Sequence, residues 1–473
     1  MKLLQLKNLF LKKLDRMINS LIKFNSMIKN LFFLFLLLFI TNQTQLFSQQ
    51  LEINSSVSAS GYLSSEESIP FWMLSNQNGA LSAESNGLFE AESILNYDLN
   101  ENHSIEVGGS FFLRDEIEDE FQRNELYIQY SNRILKATIG SKNADVFANG
   151  LSVVNSNFLM AGNSRALPGI TIEANSPSKI SERFSIDWGI GHYELNDDRY
   201  VKDAMLHYKY LGLIWNVNVK NSVKGEIIHY AQWGGTSPES GDLPSSGSDF
   251  FDIFLAKRAN EGTTSEQRNA LGNHLGLYNF EYTYSPSSGN FIFYHQHPFE
   301  DGSGTRLANF YDGIWGFYFE PNTENFTTFI NGLLVEFVDT SDQSSNSGFS
   351  GRDNYFNSGV YRSGWSYENN IIGLPFIYQD ETGLVIANNR LRAVHIGLSA
   401  SNKKWSYKYK LSLVENLGSY GVPFPKKQKA VYNYFQTQYD LEKLGKIILH
   451  LGMDMGEGFS DNYGAGLQYS YSF

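Results

Sequence analysis

One short segment concentrates side chains that could do chemistry. It reads HQHPFEDGSG and contains His295, His297, Glu300 and Asp301. Two histidines separated by one residue lie on one face of a strand, so a metal site is possible, but this spacing suits a solvated loop rim better. Glu300 and Asp301 are adjacent and would point in opposite directions in a strand, unlike the facing carboxylates of a glycosidase. We therefore predict neither a metal site nor catalytic residues here.

The rest of the chain offers few other reactive groups. It contains no cysteine, which excludes thiol chemistry and thiolate metal ligands. No nucleophile elbow, phosphate-binding loop or dinucleotide fingerprint is present. The formal net charge of −13 argues against a nucleic-acid partner. We predict a protein that is not an enzyme and uses no cofactor.

Aromatic residues next to polar ones suggest carbohydrate binding. The stretches YDGIWGFYFE, YAQWGG and YFNSGVYRSGWSY contain Trp315, Trp233 and Trp365, together with Asp312 and Arg362. Sugars present apolar faces that stack on rings and hydroxyls that need planar polar partners. The same rings also suit a membrane-interface girdle or the filling of a barrel lumen, and both interpretations stay open.

The elements that would position these residues are strands. In LGLIWNVNVK the residues Leu211, Leu213 and Trp215 share one face, while Gly212 and Asn216 lie on the other. KWSYKYKLSLV and KIILHLGMDMG alternate in the same way. Period two places successive side chains on opposite faces, so each segment has one apolar and one polar side. Several segments reach the nine to eleven or so residues that a tilted membrane crossing needs.

The connections between strands are of two kinds. Short turns such as 285–290 alternate with long polar loops such as 234–249 and 339–354, which is the layout of outer-membrane barrels. A soluble sandwich or propeller would not accept the charged residues of the polar faces in its core. We predict a transmembrane antiparallel β-barrel of the outer membrane with about 18 strands, within a range of 16–20.

The two ends of the chain fit an exported barrel. The apolar run LFFLFLLLFI follows a basic segment and is short for a membrane anchor, so we predict a signal peptide over 1–48, with the true start possibly at Met27, and a barrel over 49–473. The last strand should pair with the first and place Leu467, Tyr469, Tyr471 and Phe473 against outer-membrane lipid. This ending resembles the signal that barrel-assembly machinery recognises.

Several stretches in order resemble the Wzi capsule-assembly family of Gram-negative outer-membrane proteins, in the form found in Bacteroidetes. They are PFWMLSNQNG, MAGNSRALPGI, HYAQWGG, GNHLGLYNF, HQHPFEDGSG, DGIWG and GRDNYFNSGVYRSGWSYENNIIGLPF. The chain departs from the family where Ala166 and Leu167 stand before Pro168. The helical plug of the enterobacterial relatives has no clear counterpart here.

The resemblance implies a barrel lectin that holds capsular or extracellular polysaccharide on the cell surface. Arg165, Arg352 and Arg362 are candidates for a local basic patch, because a guanidinium pairs with carboxylates at two points. With Trp233, Asp312, Trp315 and Trp365 they complete the predicted carbohydrate-binding set. The alternatives are a porin or glycan channel, which requires an open lumen, and an outer-membrane hydrolase, which requires an acid and base within reach.

Overall fold

The computed structural model describes residues 51–117, 119–257, 270–300, 304–322, 329–344 and 353–473. These residues form a closed antiparallel barrel of 18 strands, which confirms the predicted fold and strand number. The strands are β1 (Leu51–Ser64), β2 (Gly87–Asn100), β3 (His103–Arg114), β4 (Phe121–Asn132), β5 (Leu135–Ser141), β6 (Gly169–Ala174), β7 (Phe184–Leu195), β8 (Ala204–Asn218), β9 (Asn221–Trp233), β10 (Asn273–Tyr284), β11 (Gly289–Phe299), β12 (Gly313–Pro321), β13 (Ile330–Asp339), β14 (Arg390–Asn402), β15 (Trp405–Gly418), β16 (Pro423–Asp440), β17 (Lys446–Gly456) and β18 (Asn462–Ser472). After a short break β6 continues as Ser178–Lys179, which also pairs with β7.

The barrel closes between its first and last strands. Residues 56–64 of β1 pair with residues 464–472 of β18. The backbone N–H of Phe473 donates to Ser55 O at 2.9 Å, and Ser55 N–H donates to Phe473 O at 3.2 Å. The terminal aromatic residue is therefore held in a strand ladder, as the sequence predicts for a closed barrel without free edges.

The connections give the barrel two different ends. One end has short turns, such as 101–102, 219–220 and 403–404, and both described chain termini lie there. The long connections leave the other end and include 65–86, 142–168, 234–272 and 340–389. In outer-membrane barrels the short turns are periplasmic and the long loops extracellular. We name the two ends accordingly.

The outer face of the wall is apolar, because alternate side chains of each strand point away from the lumen. Leu467, Tyr469 and Phe473 are exposed by 59%, 45% and 43%, and Tyr471 shares their face. Other exposed residues of the outer face include Leu211, Leu213, Trp215, Ile227, Phe280, Phe293 and Ile396. The predicted orientation of the last strand is confirmed.

The periplasmic half of the lumen is polar. Lys142, the first residue after β5, pairs with Glu106 of β3 at 2.6 Å, and Lys224 pairs with Glu226 at 2.8 Å and with Asp187 at 3.5 Å. These partners lie in the same strand or two strands apart, so each of these charges has a partner of opposite sign. This half matches the polar faces predicted from the alternation of the strands.

The extracellular half of the lumen is filled by three loops, which we call the plug. They are the β1–β2 loop (65–86), the β5–β6 loop (142–168) and the described parts of the β13–β14 loop (340–344 and 353–389). The fully buried side chains of the plug pack with inward wall residues into one apolar core that includes Trp72, Val154, Phe158, Leu159, Tyr355, Phe356, Trp365, Leu374, Leu206, Tyr230, Leu277 and Ile314. The alternation of the strands predicts polar inward faces along the whole lumen, and this is wrong for the extracellular half, because an apolar core occupies it.

Polar wall side chains attach the plug to the barrel. Glu336 of β13 accepts hydrogen bonds from Ser152 Oγ at 2.7 Å and from the backbone N–H of Val153 at 2.9 Å. Further wall-to-plug bonds join His395 to Leu151, Gln296 to Ser156 and Phe158, Ser412 to Trp72, Asp454 to Phe71 and Gln232 to Gly364. Each bond satisfies a buried polar group that would otherwise destabilise the core.

Helices are minor elements. Helix α1 (Phe71–Leu74) lies in the plug, and helix α2 (Gly247–Phe254) lies in the β9–β10 loop and begins with a capping box between Ser246 and Asp249. Among the described residues, none of the helices has the length and apolar composition of a membrane span. The predicted signal peptide over 1–48 lies outside the described residues.

Deleting Phe473 is expected to destabilise the barrel by about 1–3 kcal/mol, because two backbone hydrogen bonds to Ser55 are lost at roughly 0.5–1.5 kcal/mol each. Urea unfolding of the refolded protein, followed by the mobility difference between heated and unheated samples on SDS gels, measures the change. Phe473→Leu keeps both backbone bonds and is the control. Equal stability of the deletion variant and the parent would contradict this role of the last residue.

Candidate functional site

Two extracellular loops meet part of the plug, and we call their meeting point the loop junction. The three segments involved are the β7–β8 loop (196–203), the hairpin formed by Thr236–Ser237 and Gly241–Asp242, and residues 358–371 of the β13–β14 loop. The backbone of Lys202 bridges to Thr236 in both directions, at 3.0 and 2.8 Å. The junction combines charged and aromatic side chains on a backbone that the plug holds in place.

Arg199 is the buried centre of the loop junction. Its guanidinium pairs with Asp197 at 3.2 Å and donates to the carbonyls of Ser366 at 3.2 Å and Gly364 at 3.4 Å. The other Asp197 oxygen accepts from the backbone N–H of Glu368 at 3.0 Å. Burial lowers the pKa of Arg199, yet an arginine keeps its charge at any physiological pH. This network fixes the β7–β8 loop on the β13–β14 loop.

Arg362 is an exposed cation of the loop junction. It pairs with Glu239 at 2.6 Å, with side-chain exposures of 40% and 60%, and its guanidinium lies 5.0 Å from the ring centroid of Tyr200. Tyr200 is itself fixed, because its backbone N–H donates to Ser363 Oγ at 2.9 Å. A planar cation, a carboxylate and an aromatic face thus stand together at the extracellular surface. This is the combination that polar ligands with apolar faces require.

Arg165 is buried and makes its contacts inside the protein. It is 8% exposed, pairs with Glu368 and donates to the backbone carbonyl of Arg123 at 3.0 Å. Its guanidinium also lies 6.0 Å from the ring of Tyr367, whose pKa burial raises to about 12. Arg165 therefore connects the β5–β6 loop, the β13–β14 loop and the wall. Each of the two described predicted arginines has its own carboxylate partner, and they do not share a patch.

Asp312 and Trp365 lie in the interior. Asp312 accepts from the backbone N–H groups of Gln343 at 2.7 Å and Asp342 at 3.1 Å, and from Tyr355 Oη at 2.9 Å. Burial raises the pKa of Asp312 to about 7, although these three donors favour its charged form. Trp365 is fully buried and donates from Nε1 to Leu159 O at 2.6 Å. The structure places both residues among the contacts that order the loops.

The two remaining tryptophans of the predicted set lie on the outer face of the barrel. Trp233 is 5% exposed, and its ring centroid lies 5.7 Å from that of Phe250 in helix α2. Trp315 is 37% exposed, stacks on His295 at 3.7 Å and donates to Tyr311 O at 3.2 Å. Arg352 lies outside the described residues. The structure thus does not bring the predicted residues together into one site.

The histidine pair of the HQHPFEDGSG segment is also on the outer face. His295 and His297 are 5% and 0% exposed and lie in β11, so the interpretation as a solvated loop rim is wrong for both. Their ring nitrogens contact backbone carbonyls of Ile314, Phe310, Asp312 and Gly304. Among the described residues, no group of three or more acidic, histidine or cysteine side chains could hold a metal ion.

Sequence reasoning missed Tyr200, Glu239, Arg199 and Asp197. The segment NDDRY (196–200) carried a signal, because a dense group of charges beside a tyrosine between two alternating strands indicates an ordered loop. Glu239 offers no such signal, since its partner Arg362 lies far away in the chain. Only the folded barrel brings these segments together.

Comparisons with known proteins agree with the barrel architecture. No protein-family model matches the chain, and no curated protein matches it. Among solved structures, the chain is similar to Wzi of Escherichia coli, described as an outer-membrane protein involved in group 1 capsule assembly and as a carbohydrate-binding β-barrel. The TM-score is 0.56 at 13% identity, over 87% of this chain and 83% of that one.

Two other solved structures give lower scores. OccK5 of Pseudomonas aeruginosa has a TM-score of 0.49 at 8% identity, with 90% of this chain and 99% of that one covered. OccAB4 of Acinetobacter baumannii has a TM-score of 0.48 at 9% identity, with the same coverages. At these identities the likeness establishes the fold alone, and that fold is the 18-stranded barrel of outer-membrane proteins.

Proposed function

We propose that this protein binds polysaccharide at the surface of a Gram-negative outer membrane and holds a capsular or extracellular glycan there without modifying it. The observation that carries the proposal is the surface group of Arg362, Glu239 and the half-buried Tyr200 at the loop junction. An aromatic face beside planar charged groups suits a sugar ring, which has apolar CH faces and many hydroxyls.

The plug supports the same proposal. A binding surface gains affinity when its loops are ordered before the ligand arrives, because less entropy is lost on binding. Arg199 and Trp365 order the loop junction from below through Asp197, Ser366 and Leu159. We assign Arg165, Asp312 and Trp365 to this supporting role and Arg362 to direct contact. The contact predicted for Arg352 stays a proposal.

A porin is the second candidate, because the periplasmic half of the lumen is polar and carries charges of both signs. It requires a continuous aqueous path, whereas the apolar core of the plug lies across the extracellular half. Planar-bilayer recordings separate the two candidates. We expect the wild-type protein to insert without stepwise conductance, and steady channel openings would favour the porin.

Substituting Arg362→Ala together with Tyr200→Ala is expected to weaken glycan binding roughly 10- to 100-fold, equivalent to about 1.5–3 kcal/mol for a lost hydrogen bond to a charged group. Calorimetry of the detergent-solubilised protein with polysaccharide purified from the source organism measures the affinity. Losing the exposed ion pair should cost only about 0–1 kcal/mol. Tyr200 also packs against the apolar core, so the folding of the double variant is checked by heat-dependent gel mobility before the titration.

The matched control is Lys426→Ala, which removes another exposed ion pair, to Glu457, away from the loop junction. Unchanged affinity in the double variant would show that the glycan binds elsewhere on the protein. Deletion of the gene tests the cellular role: we expect normal polymer that is shed into the medium. Polymer that stays attached to the deletion strain would contradict the proposed function.

A further inference from the structure

Part of the outer wall is covered by protein at its extracellular rim. Helix α2 with the residues that follow it (247–257) and residues 304–311 of the β11–β12 loop lie against outward-facing side chains of the strands from β7 to β12. We call these two segments the collar. Beneath the collar the wall combines apolar side chains such as Trp233 with buried histidines and a lysine, in contrast to the exposed apolar band nearer the periplasm.

Helix α2 presents one apolar side to the wall. Phe250, Ile253 and Phe254 follow the spacing of one helix face. The ring of Phe250 lies 5.3 Å from His207 and 5.7 Å from Trp233, and the ring of Phe254 lies 5.4 Å from His207. Ile253 is fully buried. The helix is therefore packed onto the wall from outside.

The wall beneath the collar also carries polar side chains, which bond to the loops that cover them. These contacts join Lys209 Nζ to Phe254 O, His274 Nε2 to Leu271 O at 2.7 Å, His295 Nε2 to Phe310 O at 3.2 Å and His297 Nε2 to Gly304 O at 3.3 Å. Such groups would remain unsatisfied in hydrocarbon, which costs several kcal/mol each. The collar thus takes the place that lipid occupies elsewhere on the wall.

The outward side of the collar exposes large apolar side chains, beside the charged Lys257 and Arg306. Phe251 of α2 and Leu255, the residue directly after it, are exposed by 65% and 55%, and Tyr311 is exposed by 75%. Directly below, the wall exposes Leu211 and Trp315. Trp315 bonds the backbone of Tyr311, so the exposed surface of the collar adjoins the apolar outer band at this point.

We propose that the collar lies in the outer leaflet of the membrane and that Phe251, Leu255 and Tyr311 contact lipid. An apolar helix face that adjoins a lipid-facing wall, at the rim where aromatic residues anchor barrels, fits the interface between acyl chains and head groups. The lipid surface of this barrel is therefore built partly from its extracellular loops. The inference rests on the barrel fold and is independent of polysaccharide binding.

The absence of native cysteine makes a direct test possible. Phe251→Cys, Leu255→Cys and Tyr311→Cys are labelled singly with an environment-sensitive fluorophore and reconstituted into phosphatidylcholine vesicles. Quenching by doxyl-labelled lipid is compared with quenching by iodide equilibrated on both sides. Leu211→Cys on the exposed wall is the lipid control, and Ser240→Cys in the same loop as α2 is the aqueous control. Each variant is first checked for folding by its heat-dependent gel mobility.

We expect doxyl-lipid to quench the labels at 251 and 255 as strongly as the label at 211, and iodide to quench the label at 240 alone. Two results would overturn the proposal. Iodide quenching at 251 and 255 would place the collar in water, and protection from both quenchers would show that protein covers it. If one collar variant fails to fold, the other two positions decide the question.

Discussion

Glu336→Ala is expected to open the barrel and to destabilise it by about 3–5 kcal/mol. The Glu336 carboxylate accepts from Ser152 Oγ, from the backbone N–H of Val153 and from Tyr294 Oη at 2.7, 2.9 and 2.5 Å. A buried donor that loses its partner costs roughly 1–3 kcal/mol, and water entering the space recovers part of this. The β5–β6 loop should detach from the wall, and ion conductance should appear in planar bilayers.

Two further variants make the Glu336 prediction quantitative. Tyr294→Phe removes one donor and leaves the two contacts to the loop, so we expect a smaller loss of stability and no conductance. Glu336→Gln keeps the volume and one acceptor oxygen, so it should fall between the parent and the alanine variant. A non-conducting alanine variant as stable as the parent would show that the plug does not depend on this carboxylate.

Trp365→Ala is the second change with a large expected effect. The ring is fully buried, lies 5.6 Å edge-on from Tyr230 of the wall and bonds Leu159 O. Truncating a buried aromatic side chain to alanine costs about 3–5 kcal/mol. We expect the free energy of unfolding, measured by urea titration, to fall by this amount. The β13–β14 loop of the variant should also become susceptible to protease cleavage.

The companion variant Trp365→Phe distinguishes a role of Trp365 in ordering the loops from direct contact with the glycan. It keeps most of the ring volume and loses the bond to Leu159, so stability should fall only slightly and glycan affinity should remain close to that of the parent. A large loss of affinity with normal stability in this variant would make Trp365 a direct ligand contact. That result would restore the role expected from the sequence.

Alternation was enough to predict the barrel. In β18 the residues Leu467, Tyr469 and Tyr471 face outward and Gln468 and Ser470 face inward, as period two requires. This alternation is present wherever a strand has lipid on its outer face and water on its inner face. It accounts for the fold and for the position of the last strand.

The plug and the collar could not be predicted in the same way, because they reverse the pattern. In β10 the inward residues Leu275 and Leu277 are apolar and fully buried against the plug, while outward His274 bonds the covering loop. In β8 inward Leu206 and outward His207 show the same inversion. A change of polarity halfway along one strand is visible in the sequence, but its meaning depends on loops whose position only the folded chain defines.

The candidate site was predicted less well than the fold. Arg362 was chosen for its chemistry and does lie at the surface, whereas Trp365 and Asp312 were chosen by the same reasoning and are buried. Residue type alone does not distinguish a ring that a loop buries from one that it presents. Contacts distant in sequence, such as that between Glu239 and Arg362, decide the difference.

The β1–β2 loop has a mechanical consequence for the closed barrel. The loop follows β1, yet it bonds to β18, β17 and β15, which lie beyond the closure between β1 and β18. These bonds join Ser65 to Tyr463, Ser68 to Asn462, Phe71 to Asp454 and Trp72 to Ser412. The β1–β2 loop therefore reinforces the pairing of β1 with β18 from inside the lumen. These two strands cannot separate unless the bonds of the loop also break, so the barrel should open no more easily between β1 and β18 than between other strands.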